Sequence, residues 1–316
     1  MLKALTIVYR EGLVAGTRCS SILRLLAASR VLLFPHGVLQ FHSMEILKKL
    51  CSSTRTHDPL YFLTHNYYIS KHFTLRQRVQ AAIDHHQFEL KNYSSEYARQ
   101  VYRSSGVLLW EQYVDNIHFT IVLIATEDNR HEGDLSVILS VDNIRLCRMS
   151  FCYLDARIFG LTSHKTMLIS RNQTDRNHSR DLFTRCFKQN TPQLFCLSAI
   201  CGIAIANKFE AVLAIKHDAQ IAYQETLDSG FRNSYSALWE KFDAVECNRH
   251  VYRLNVPLKL RALPLVNRVH RARARDRRRH WDDIVQSARS RMIDCRIAFP
   301  SPGRASEVAR AQGQFA

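Results

Sequence analysis

Apolar runs separated by short polar breaks fill the middle of the chain. Residues 107–113, 119–125, 135–141 and 144–151 are rich in β-branched and aromatic side chains, and 156–159 carry a shorter version of the pattern. Polar breaks separate them: Asp115-Asn116, the run 126–134, Asp142-Asn143 and Leu154-Asp155. Asp142-Asn143 between two strands suits a tight hairpin, because both residues tolerate positive φ. Links this short cannot carry a parallel crossover, so the pattern predicts an antiparallel meander.

Helical spacing brackets that region. Thr74 is the expected N-cap of a helix over 75–90, with Leu75, Val79, Ile83 and Phe88 facing inward. A strand at 166–170 and a polar loop at 171–179 lead to helices predicted over 180–189 and 192–207. The second is apolar nearly all round (Leu194, Phe195, Leu197, Ile200, Ile203) and so is expected to be buried. A short apolar strand, 211–215, follows. Strand, loop, helix, strand is a crossover unit, expected to be parallel and right-handed. Further on come a helix near 235–242, a strand near 250–254 and a basic helix over 268–291 anchored by Trp281, Ile284 and Val285. Near the start, Ile22, Leu25, Leu26 and Leu33 share one face of a helix that Pro35-His36-Gly37 is expected to break. That helix reads either as packed on the main domain or as a peripheral membrane element. Residues 300–316 have no apolar period and are expected to be disordered.

The organisation predicted is a helical region 1–56, a core domain 57–265, a basic C-terminal helix 266–299 and a tail 300–316. The fold class is α+β or α/β, a mixed and mostly antiparallel sheet flanked by helices.

Charge narrows the partners. The 316 residues carry a net charge of +16, with a pI near 9.7. That excess favours an anionic partner: RNA, DNA, anionic lipid or a phosphorylated small molecule. Arg271, Arg273, Arg275, Arg277, Arg278 and Arg279 concentrate it on one helix, and guanidinium forks suit phosphate. A merely solvated helix is the other reading. The nine cysteines include no Cys-x-x-Cys pair and no zinc-type spacing, which points to reduced thiols and a cytoplasmic address, with peripheral contact at the inner membrane as a variant. Cys196 and Cys201 read as small core hydrophobes. No secretory leader is convincing, and the early apolar segment is too interrupted to span a bilayer. His85 and His86 lie about 100° apart on their helix, so they read as structural or surface residues, and no metal site is expected.

Two places carry candidate chemistry. A strand that enters a polar loop and then a helix N-terminus presents free N–H groups to a phosphate, and Arg171, Gln173 and Arg176 would add donors there. Glu132 and Asp134, taken as paired carboxylates near a sheet edge, are candidates for a general base, although a turn around Gly133 needs only a solvated acid. Tyr67, Tyr68, Lys71, Arg76 and Arg78 interleave rings and charges. Core packing is the favoured reading and base stacking the alternative.

Several blocks, taken in order, carry a resemblance. They are Tyr61-Phe62-Leu63-Thr64-His65-Asn66-Tyr67-Tyr68-Ile69-Ser70-Lys71, Leu75-Arg76-Gln77-Arg78, Glu132-Gly133-Asp134-Leu135-Ser136, Ile169-Ser170-Arg171-Asn172-Gln173 and Ser234-Tyr235-Ser236-Ala237-Leu238-Trp239-Glu240. Together the set resembles the VirK/YbjX family of bacterial proteins. The resemblance implies a role in virulence, envelope integrity, antimicrobial-peptide resistance or stress response, without implying a reaction. The family's Arg-x-Gln-Gly is here Arg171-Asn172-Gln173-Thr174, with Thr in the place of Gly. Residues 135–215 also resemble the GNAT acyltransferases in their order of elements. That likeness implies coenzyme A, or another phosphate-bearing acyl donor, held at the loop after residue 170, and acyl or aminoacyl transfer. Both glycines of the GNAT signature are missing here.

Overall fold

The computed structural model describes residues 30, 33–44, 61–126, 130–162 and 164–297. The expected helix over 20–33, except Arg30 and Leu33, and the tail 300–316 lie outside these residues.

Arg30 and Leu33 are helical and Phe34 is not, so the chain breaks before Pro35 as expected, and Pro35 then opens α1 (Pro35–His42). A first-turn proline has φ already set and lacks only an N–H that the helix leaves unused. After the single turn α2 (Tyr61–Thr64), α3 (Leu75–Asn92) begins at Thr74 with a full capping box, Thr74 and Gln77 satisfying each other's backbone N–H. Val79 and Ile83 of α3 are buried. Ser94 caps α4 (Ser95–Arg103).

The meander forms as its pattern predicts: β1 (Val107–Val114), β2 (Ile117–Ala125), β3 (Leu135–Val141), β4 (Ile144–Asp155) and β5 (Lys165–Thr174) pair antiparallel in sequence order. Asp142 and Asn143 have φ of 48° and 65°, and Asp115 and Asn116 have 50° and 61°, the left-handed pairs that a two-residue hairpin requires. Residues 156–159 are not a strand. Asp155 accepts from Arg157 N–H and starts a 3₁₀ turn there, which Gly160 ends at φ 73°. β5 runs to Thr174, so Arg171, Asn172 and Gln173 are strand residues and only 175–178 remain as loop.

α5 (Ser179–Cys186) and α6 (Pro192–Ala206) then carry the chain to β6 (Ala211–Ile215). The short helices α7 (Asp228–Ser234) and α8 (Ser236–Glu240) precede β7 (Val245–Glu246) and β8 (Val251–Asn255), and α9 (Arg268–Asp294) follows. One sheet results, in the order β1-β2-β3-β4-β5-β6-β8-β7. The β5–β6 pair is parallel, as the crossover predicts, and the other pairs are antiparallel.

Period two splits the sheet's side chains between two cores. Phe151, Tyr153, Met167, Ile169, Val212 and Ala214 join the larger one with α6 and α9. Cys152, Leu154, Leu168 and Leu213 join the smaller one with α1, α2 and α3. The apolar α6 is buried between sheet and α9. Its Gly202 lies so close to α9 that an added Cβ would stand 2.5 Å from the Val285 carbonyl. Ala274, Ile284, Ala288 and Met292 fix α9 into the core.

Candidate functional site

The parallel pair is short. β5 and β6 meet only at Leu168–Leu213 and Ile169–Ala214. Ser170 then bulges out of register with β4, and Arg171–Thr174 continue along β4 alone. The strands therefore diverge at their carboxyl ends, the place where α/β sheets hold ligands. Gly133 seats the segment before β3 against the bulge. Its φ is 147°, and a Cβ there would meet Ser170 Oγ at 2.8 Å and Ser150 Cβ at 3.0 Å.

Arg171 and Glu132 face each other in this crevice. Arg171 Nε lies 3.0 Å from Glu132 Oε2, both side chains are nearly buried, and Arg171 Nη2 donates to Gln173 Oε1. Arg171 Nη1 is buried with no hydrogen-bond partner. Burial raises the Glu132 pKa, against the pull of Arg171 and then Arg148. The Asn172 N–H, which β6 leaves unpaired, donates to the Tyr235 hydroxyl at 3.1 Å, and Asn172 Nδ2 donates to the Ser234 carbonyl at 2.7 Å. The junction of α7 and α8 thus covers the diverging strands.

The expected site residues are only partly brought together. Arg171, Gln173 and Glu132 converge. Arg176 is exposed in the 175–178 loop. The helix-terminus cradle expected around Arg171 and Gln173 does not form, since both are in β5; Thr174 sits in the same strand, opposite Cys147, where extended backbone suits any residue. Nor are Glu132 and Asp134 a carboxylate pair at a sheet edge. β3 is an interior strand, and Asp134 is fully buried. Its Oδ1 accepts from the Tyr61 hydroxyl and its Oδ2 from the Tyr68 hydroxyl at 2.6 Å. The Arg130 guanidinium lies over the Tyr61 ring at 4.5 Å. Tyr68 is therefore core, as the packing reading has it, while Tyr67 is exposed.

A second buried carboxylate lies on α3. Glu89 accepts from the Tyr97 hydroxyl at 2.9 Å and from the Tyr102 hydroxyl. His85 Nε2 is 3.2 Å and His86 Nδ1 3.4 Å from Glu89 Oε2, and all three side chains are buried, so the histidines are not surface residues. The ligating atoms of His85, His86 and Glu89 fall within 4.8 Å of one another, close enough to suggest a metal site. The tautomer argues against it. His85 Nδ1 accepts the Tyr153 N–H at 3.2 Å, so the ring's proton sits on Nε2, the atom a metal would need free. Glu89 is a carboxylate held by the Tyr97 and Tyr102 hydroxyls, with His85 Nε2 and both His86 ring nitrogens buried beside it without hydrogen-bond partners.

On α9, several arginines are already engaged. Arg271 donates to the Val266 and Pro264 carbonyls and Arg278 to that of Arg261, whereas Arg277 Nε is buried without a hydrogen-bond partner. Arg273, Arg275 and Arg279 are exposed, and the described residues form no ion pair with them. No helix among the described residues is long and apolar enough to cross a membrane.

Fold and site together define an α+β protein with one mixed sheet and a nearly buried Arg171–Glu132 pair beside the carboxyl ends of its parallel strands. The chain belongs to the DUF535 family, proteins of unknown function, whose model matches residues 28–290. No curated protein and no solved structure matches it.

Proposed function

We propose that the crevice binds a phosphate-bearing acyl or aminoacyl donor, of which coenzyme A thioesters are the model, and that the protein transfers the acyl group. The observation carrying this reading is the divergence of β5 from β6 beside a buried arginine with an unused donor nitrogen. It agrees with the GNAT-like order of elements and with a VirK/YbjX-type role in envelope integrity, virulence or stress resistance at the cytoplasmic face. A donor phosphate that engages Arg171, with Gln173 beside it, loosens the Arg171–Glu132 pair. Glu132, already raised by burial, then serves as general base. It takes the proton of an acceptor amine or hydroxyl as that atom bonds to the acyl carbon. The carbon–sulfur bond breaks, and the leaving thiolate takes the proton. Asp134 has no place in this step, because both its oxygens are committed to tyrosines. With a labelled acyl-coenzyme A and a panel of amine and hydroxyl acceptors, transfer by the wild type should fall roughly 10²- to 10⁴-fold in Glu132→Gln. Equal rates for the two would remove Glu132 from the chemistry.

A second reading rests on Arg273, Arg275 and Arg279, exposed on a helix that is otherwise docked. These suit RNA or DNA, with anionic lipid as the competing surface. Changing all three to Ala should flatten the salt dependence of single-stranded RNA binding by about two log–log units. Unchanged RNA binding, with loss of binding to anionic liposomes, would favour the membrane instead.

A further inference from the structure

We propose that Ser236, His217 and Asp228 form a nucleophilic triad at the carboxyl end of β6, able to take an acyl group from an ester or thioester. No motif in the sequence announces it. His217 comes from the turn that directly follows β6, Asp228 opens α7, and Ser236 opens α8. The packing of these three short elements brings their side chains together, with His217 between Ser236 and Asp228.

Ser236 Oγ lies 2.7 Å from His217 Nδ1, and His217 Nε2 lies 3.5 Å from Asp228 Oδ1. The hydrogen-bond inventory orients the proton. Ser236 Oγ accepts the His217 backbone N–H at 3.4 Å, and in the proposed arrangement its own hydrogen turns to Nδ1 rather than to the neighbouring Tyr252 hydroxyl. Nδ1 is then the acceptor, and the ring's proton sits on Nε2, facing the carboxylate. The Tyr223 hydroxyl donates to the same Asp228 oxygen at 2.9 Å and steadies it. This is a nucleophile, a base and an orienting acid, with Nδ1 rather than Nε2 as the base nitrogen. Ser236 is 2% exposed, which shields an acyl-enzyme from bulk water, while the His217 and Asp228 side chains keep 19% and 49% exposure.

In the step proposed, Oγ attacks the acyl carbonyl and its proton passes to His217 Nδ1. The bond to the leaving alkoxide or thiolate breaks, and that group takes the proton from His217. Water or an acceptor amine reverses the sequence and releases the acyl group. The inference goes beyond the donor-binding reading and does not depend on Arg171 or Glu132.

The test is covalent labelling of the full chain with a fluorophosphonate, which joins phosphorus to Oγ and expels fluoride. One adduct is expected, on the peptide that contains Ser236. Its rate of formation should fall about 10²-fold or more in His217→Gln and less steeply in Asp228→Asn, a half-exposed change that the fold tolerates. Labelling is read with no coenzyme A or other acyl donor present, so failure of the donor reading and failure of the triad give different results. A serine that is only a structural tie would take no adduct. Absence of an adduct at Ser236 in the folded wild type overturns the triad, as does equal labelling of wild type and His217→Gln.

Discussion

Glu89 shows at the scale of one residue how a charge is kept in this interior. Burial would raise its pKa, yet His85 and His86 outweigh burial and hold the carboxyl well below its ordinary 4.5. A depressed carboxyl adds stability that is complete above the unfolded pKa and disappears as pH falls through the folded one. Glu89→Gln should therefore cost about 2–4 kcal/mol at neutral pH. The gap between variant and wild type should narrow below pH 4.5 in urea melts. A gap independent of pH would mean that Glu89 acts by shape alone. His131 behaves as the basic counterpart. Burial, then His65 and Arg171, push it down to about 4 from 6.5. It stays neutral when folded, so stability is full above pH 6.5 and is lost as pH falls toward 4. His131→Gln should flatten the stability profile in that window, and an unchanged slope would assign it to other groups.

At the scale of elements, what the sequence made legible was local chemistry. The Asp142-Asn143 hairpin, the Thr74 N-cap and the apolar α6 each carry their cause within a few residues, and each forms where expected. The illegible parts depend on distant partners. Arg171-Asn172-Gln173 looks like a loop because it is polar, and it extends as strand because Glu132, Tyr235 and Ser234 satisfy it. Asp134 looks solvated, and it is buried because Tyr61 and Tyr68, 73 and 66 residues earlier, donate to it. The run of tyrosines was the available signal, since a buried hydroxyl must find an acceptor. Gly202 tests the packing of α6 on α9. A Cβ there meets backbone at 2.5 Å and 3.0 Å rather than a yielding side-chain tip. Gly202→Ala should lower stability by about 1–3 kcal/mol and expose α9 to protease. An unaltered urea midpoint would show that the two helices can slide apart freely.

At the scale of the whole molecule, the net charge of +16 is not spread evenly in function. Part of the guanidinium content is internal: Arg130 over Tyr61, Arg171 against Glu132, and Arg271 and Arg278 on their own chain's carbonyls. Arg273, Arg275 and Arg279 remain outward, a surface separate in the chain from the crevice residues. The proposed donor site is thus recessed beside Arg171, and the exterior proposed to meet a polyanion lies on α9. A thermal melt against coenzyme A in wild type and Arg171→Ala tests donor binding at that site. A ligand that binds the folded state stabilises it by mass action, by about 2.7 kcal/mol at a hundredfold excess over its Kd. A rise in Tm that saturates in the wild type and vanishes in Arg171→Ala is expected. No rise in the wild type, or the same rise in both proteins, would contradict it.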